Sequence, residues 1–199
     1  KESIQTRSSQ VCLAKSQNKH NRLYAVAEPL SEEFCKALEE REIDLHMEKK
    51  ELSKLLKDDY GWDPEDAKKI WCFAPDETGP NCFVDQTKGI AYLNEIQDSC
   101  KAAFEWAAKE GPMTQEPMRG IRVNLVDANL ISDSIHRGGG QIIPAARRVA
   151  YASVLTAEPR FQEPMFLCEI QTPSNLIGSI YQVMSQRRGT VFSEEPVGG

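Results

Sequence analysis

The stretch Ser134-Ile135-His136-Arg137-Gly138-Gly139-Gly140-Gln141-Ile142-Ile143-Pro144-Ala145-Ala146-Arg147-Arg148 sets one histidine and one arginine directly before three glycines. The Ala-Ala-Arg-Arg run behind it predicts a helix over residues 142–156 with Pro144 in its first turn and Ile143, Ala146, Val149, Ala150 and Val154 inward. Glycine carries no Cβ, so three in a row allow a tight turn and the close approach of another backbone. Amides leading into a helix are unpaired and electropositive, which suits a phosphate. His136 is therefore expected on display at a turn, and Arg137 is expected to face phosphate.

Upstream, residues 119–130 read as a strand aimed at His136, with Ile121, Val123 and Leu125 alternating against polar neighbours. Before it, Leu93, Ile96, Cys100, Ala103, Phe104 and Ala107 recur three or four apart and predict a helix over 91–110 with one apolar stripe. Strands are expected at 11–15, 22–29, 69–73 and 81–86. Ser31 and the Asp63-Pro64 pair mark helix starts, and another helix is expected over 47–59. Asn18, Lys19, His20 and Asn21 read either as a plain connecting turn or as a second basic loop beside His136. Beyond Glu158-Pro159-Arg160, a strand at 165–171, a helix at 174–186 and a strand at 189–194 are expected.

The chain has 199 residues, 40% of them hydrophobic and 27% charged, the profile of an ordinary globular protein. No apolar run approaches the roughly 18 residues of a membrane span. Six scattered cysteines show no Cys-x-x-Cys spacing and read as buried or reduced thiols. A net charge of −6 at first disfavours an RNA partner. Residues 28–66, however, hold 14 acidic and 6 basic side chains, which leaves the remainder at +2. Lys15, Lys19, His20 and Arg22 thus stay outside the acidic segment. A His-Gly-Gly-Gly oxyanion loop is excluded, because no Gly-x-Ser-x-Gly turn accompanies it and Arg137 interrupts it.

The run from Ile135 to Pro144 resembles the diphthamide loop of the eukaryotic elongation factor 2 family of ribosomal translocation GTPases. Lys15-Ser16-Gln17-Asn18-Lys19-His20-Asn21-Arg22, Lys69-Ile70-Trp71-Cys72-Phe73, Tyr92-Leu93-Asn94-Glu95-Ile96 and Gln162-Glu163-Pro164 are similar to it too, in the same order. The resemblance spans essentially the whole chain and implies an α+β fold. Residues 1–159 would form a split β-α-β domain with a left-handed crossover and a helical insertion at about 31–69. Residues 160–199 would be the incomplete first half of a ferredoxin-like βαβ domain, marginal by itself. The chain would be an excised piece of a longer protein.

The resemblance further implies a part of a cytoplasmic translation factor that enters the small-subunit decoding centre and meets rRNA and the tRNA–mRNA duplex. His136 would be the acceptor for diphthamide-synthesis enzymes and then for ADP-ribose from diphtheria-type toxins, with NAD as donor. Lys19, His20, Asn21, Arg22, Asp133, Ile135, His136, Arg137, Gly138, Gly139 and Gly140 would contact RNA. No Gly-x4-Gly-Lys-Ser/Thr loop occurs, so this piece is expected to hydrolyse no nucleotide. GTP and magnesium would belong to another part of the protein, and no cofactor is expected here. One departure stands out: Ile131 occupies a position where the family commonly has histidine. The alternative is an RNA- or protein-binding module of a spliceosomal or ribosome-assembly paralogue. An RNA-recognition motif or a KH domain is disfavoured, because neither an aromatic-rich strand nor a suitably placed Gly-x-x-Gly loop is present.

Overall fold

The computed structural model describes residues 1–196 and divides them into two compact units, Lys1–Glu163 and a second that begins at Pro164. In chain order the first unit contains β1 (Glu2–Ile4), β2 (Cys12–Lys15), β3 (Arg22–Pro29), α1 (Glu32–Glu39), α2 (Lys49–Tyr60), α3 (Pro64–Lys68), β4 (Ile70–Ala74) and β5 (Asn81–Asp85). There follow α4 (Leu93–Lys109), β6 (Ile121–Asn129), α5 (Gly139–Leu155) and β7 (Pro159–Phe161). The class is α+β, as expected.

Five strands form an open sheet in the order β2-β3-β6-β5-β4. Only β5 and β6 run parallel, which obliges a long connection between them, and α4 supplies it. The longest pairing is antiparallel, from Arg22 opposite Asn129 to Pro29 opposite Ile121. One end of the sheet therefore carries both the β2–β3 turn and the exit of β6.

Side chains alternate across a strand, so each strand serves both faces. Leu23, Ala25, Phe83, Val123 and Leu125 pack on one face with Ile96, Cys100, Phe104, Ile142 and Val149 from α4 and α5. On the other face Phe73, Cys82 and Val84 meet Phe34, Leu38, Leu52 and Leu56 from α1 and α2. The insertion thus has its own core and roofs the second face. For that reason Arg122 and Asn124 of β6, read from alternation as a polar face, are buried. Arg122 stacks over Trp62 at 4.2 Å and pairs with Glu28 at 3.2 Å and with Asp66.

Three expectations change. Helix α5 begins at Gly139, not at 142, so Pro144 lies inside the helix and not in its first turn. Gly138 caps it in an extended conformation, and Pro144 offers no amide to the carbonyl one turn back. Ile142 rather than Ile143 is fully buried. The division of the chain falls after Glu163 instead of at 159–160, because β7 pairs antiparallel with β1, Glu2 opposite Phe161.

In the second unit, the expected strands at 165–171 and 189–194 do not form among the described residues, and only the helix survives. It is α6 (Ile177–Gln186), preceded by a 3-10 turn at Ser174–Leu176. Met165, Phe166 and Leu167 are 78%, 91% and 76% exposed, so nothing covers the segment that would be the first strand. A lone strand without a sheet beside it has too few partners to hold.

Candidate RNA-contact site

Two loops meet at the sheet end where β2 turns into β3 and β6 leaves: residues 16–21 and 130–138. The first is closed by its own backbone, with Lys19 N donating to Ser16 O at 2.8 Å and Ser16 N to Asn21 O at 2.9 Å. Lys19 sits at its apex with φ +64°. In the second, Asp133 caps a 3-10 turn, Ser134–Arg137, by accepting from Ile135 N at 3.1 Å.

The loops are joined through the carbonyl of His136. It accepts from Asn18 Nδ2 at 2.7 Å and from Asn21 Nδ2 at 2.8 Å. Ile131 N donates to Asn21 Oδ1 at 3.2 Å, and Asn18 N donates to Gln141 Oε1 at 2.9 Å. With its carbonyl doubly held, His136 projects an imidazole whose centroid lies 5.3 Å from that of His20. Its Nε2 is 3.6 Å from Asp133 Oδ2, and the side chain keeps 47% of its surface open.

Arg137 points the other way. Its side chain is 5% exposed, pairs with Glu95 at 2.6 Å and donates to the carbonyls of Ile131 and Ser132 at 2.9 and 2.7 Å. The guanidinium also lies 4.2 Å over the Tyr92 ring. The expectation that Arg137 faces phosphate is therefore corrected: its donors close the loop onto the start of α4. Asn21 is corrected likewise, since it is fully buried and its amide also donates to Ser16 Oγ at 3.1 Å. Both lie beneath the surface that they shape.

The surface itself carries Lys19, His20, Arg22, Asp133, Ile135, His136, Gly138 and Gly140, with Gly139 partly covered. Lys15 is exposed on the adjoining strand, and its carbonyl accepts from Arg148 at 2.7 Å. Ile135 is 82% exposed, an unusual position for a large apolar side chain. None of Gly138, Gly139 and Gly140 has a positive φ, and the chain passes from the 3-10 turn through Gly138 directly into α5. A Cβ on Gly138 or Gly140 would meet nothing within 4 Å. The fold itself does not require glycine there. Ile131, where a histidine was anticipated, serves through its backbone N–H and C=O, which any residue supplies.

The bonding roles of Asn18, Gln141, Glu95 and Tyr92 escaped sequence reasoning. Asn18 alone gave a local signal, as a turn former, while the others act across 42 to 123 positions. The arrangement offers cations, imidazoles and open backbone, which suits contact with a polyanion. Among the described residues no group of three or more His, Cys, Asp and Glu side chains could hold a metal. No helix among them is long and apolar enough to cross a membrane. The family model for elongation factor G, domain IV, matches residues 41–158, a stretch that contains the His136 loop but not the His20 loop.

Proposed function

The chain belongs to the elongation factor G domain IV family, and we propose that it is the part of a eukaryotic-type elongation factor 2 that reaches RNA during ribosomal translocation. The loop end of the sheet meets rRNA of the decoding centre and the tRNA–mRNA duplex. Its work there is steric and electrostatic, with no bond made or broken. His136 is the residue that diphthamide-synthesis enzymes extend and that diphtheria-type toxins then ADP-ribosylate from NAD. The residues from Pro164 onward begin the adjoining domain, GTP hydrolysis belongs to another part of the protein, and the whole acts in the cytoplasm.

The observation that supports this best is the outward imidazole of His136 on a carbonyl held by Asn18 and Asn21. A displayed side chain on a held backbone suits both an enzyme that must grip it and an arm that must reach past the loop. The test is mass spectrometry of the tryptic peptide 123–137 from the native source. A mass increase on His136 that matches diphthamide is expected. Plain histidine from native cells would instead favour a paralogue outside translation.

A further inference from the structure

One corner of the sheet is left uncovered, and it borders the two loops. Cys12, Ala14, Leu23, Ala25 and Ala128 pack toward the helices, so Leu13, Lys15, Arg22, Tyr24, Asp127 and Asn129 stand on the opposite face. Farther along the strands the insertion roofs that face, with Arg122 and Asn124 buried beneath it. At the corner it is open: Leu13 is 46% exposed, Tyr24 is half-buried and the other four are exposed. The register sorts these side chains into two rows. Lys15, Arg22 and Asn129 lie opposite one another in the outer row, and Leu13, Tyr24 and Asp127 in the inner one.

The outer row is electrostatically unfinished. Like charges directly opposite on neighbouring strands destabilise a sheet. Yet neither the Lys15 ammonium nor the Arg22 guanidinium has an ion-pair or hydrogen-bond partner among the described residues. By contrast, Arg7, Arg119, Arg122, Arg137 and Arg147 each reach a carboxylate within 3.5 Å. In the inner row, the Tyr24 ring meets no other ring and its hydroxyl no partner among the described residues. Leu13 extends it as apolar surface, and Asp127 is the row's carboxylate, its Oδ1 accepting from Ala128 N at 2.8 Å. The rows stand about 6.8 Å apart, two residues at about 3.4 Å each, a gap that one ribose bridges. We propose that this corner binds an unpaired RNA nucleotide, its phosphate between Lys15 and Arg22 and its base stacked on Tyr24 beside Leu13. Asp127 repels phosphate from the inner row and so fixes which end of the nucleotide lies on which row. Residues 16–21 join Lys15 to Arg22, so an RNA strand held at the loops continues onto the corner. The inference rests on the RNA-binding reading of the loops.

The test titrates the chain with a short labelled RNA of mixed sequence, either single-stranded or annealed to its complement, at about 0.15 M salt. Tyr24→Leu should weaken binding of the single strand about tenfold and leave the duplex unchanged, whereas Tyr24→Phe should bind both like the parent. Lys15→Ala with Arg22→Ala should weaken the single strand and lower its slope of log affinity against log salt by about one. Circular dichroism melting checks that each variant is folded. A second readout uses the unaltered chain: ultraviolet crosslinking and tryptic mass spectrometry should place a nucleotide adduct on Tyr24 in peptide 23–36. A folded Tyr24→Leu form that binds the single strand like the parent, or crosslinks confined to residues 16–21 and 130–138, would overturn the corner site. Lys19→Ala with His20→Ala tests the loops separately: undiminished binding in that form sinks the loop reading, whichever way the Tyr24 forms behave.

Discussion

Arg137 shows how a charged side chain in an exposed loop can be turned wholly inward. Its two carbonyl partners, Ile131 and Ser132, lie in its own loop, while Glu95 and Tyr92 lie at the start of α4. Changing Arg137 to Ala leaves two loop carbonyls without their donor and should cost about 2–3 kcal/mol, visible as a lower urea midpoint. A surface residue that served only RNA would melt like the parent. The glycines give the opposite expectation. Gly140 has helical backbone and open space where a Cβ would stand, so Gly140→Ala should stabilise the fold by roughly 0.5 kcal/mol. The same change should weaken RNA crosslinking at the loops, because a methyl group then stands where a partner comes close. Higher stability with undiminished crosslinking would show that Gly140 serves no partner.

At the scale of elements, the sheet and its insertion are riveted at Arg119. Its guanidinium holds the Glu32 and Glu39 carboxyls below the usual glutamate value of 4.5, chiefly by direct hydrogen bonds. A carboxyl whose folded pKa is depressed adds stability above its unfolded value and loses it as pH falls through the folded one. Arg119→Met should therefore be about 1 kcal/mol less stable than the parent at pH 7, a figure kept small because Glu32 is half exposed. The difference should shrink steadily below pH 4.5, and denaturant melts at pH 7 and pH 3 will measure it. A gap independent of pH would mean that Arg119 acts by packing alone.

Most of these elements were legible in the sequence because their signals are local. Ser31 and Asp63 cap the helices they were expected to cap, and α4 turns its apolar stripe inward. What escaped depends on partners far along the chain. Strand β1 has three residues and finds β7 more than 150 positions away. Arg137 finds Glu95 at 42 positions. The insertion's roof over Arg122 and Asn124 could not be read from alternation, since a polar face under a second core looks the same as a wet one.

Across the whole molecule, burial is uneven. Helix α4 has six buried residues, whereas α6 has none, and Phe166 and Phe192 lie almost wholly open. Local stability follows buried apolar contact, so amide exchange in α6 should run near the unprotected rate while α4 exchanges only on global unfolding. Hydrogen exchange read by mass spectrometry on peptides from 93–109 and 177–186 gives the comparison. Equal, slow exchange in both would show that the second unit folds firmly without strands.

The doubly held carbonyl of His136 has a kinematic consequence. With Asn18 and Asn21 gripping that carbonyl and Arg137 anchoring the next residue, only χ1 and χ2 of the imidazole remain free. Anything grafted onto the ring then sweeps a narrow cone from a stationary pivot instead of a sphere from a wandering one. Freezing a backbone residue costs about 1–2 kcal/mol when a partner must do it. Here the scaffold has frozen it in advance, so an arm on this ring would arrive already aimed, at a higher effective molarity than the same arm on a slack loop could reach.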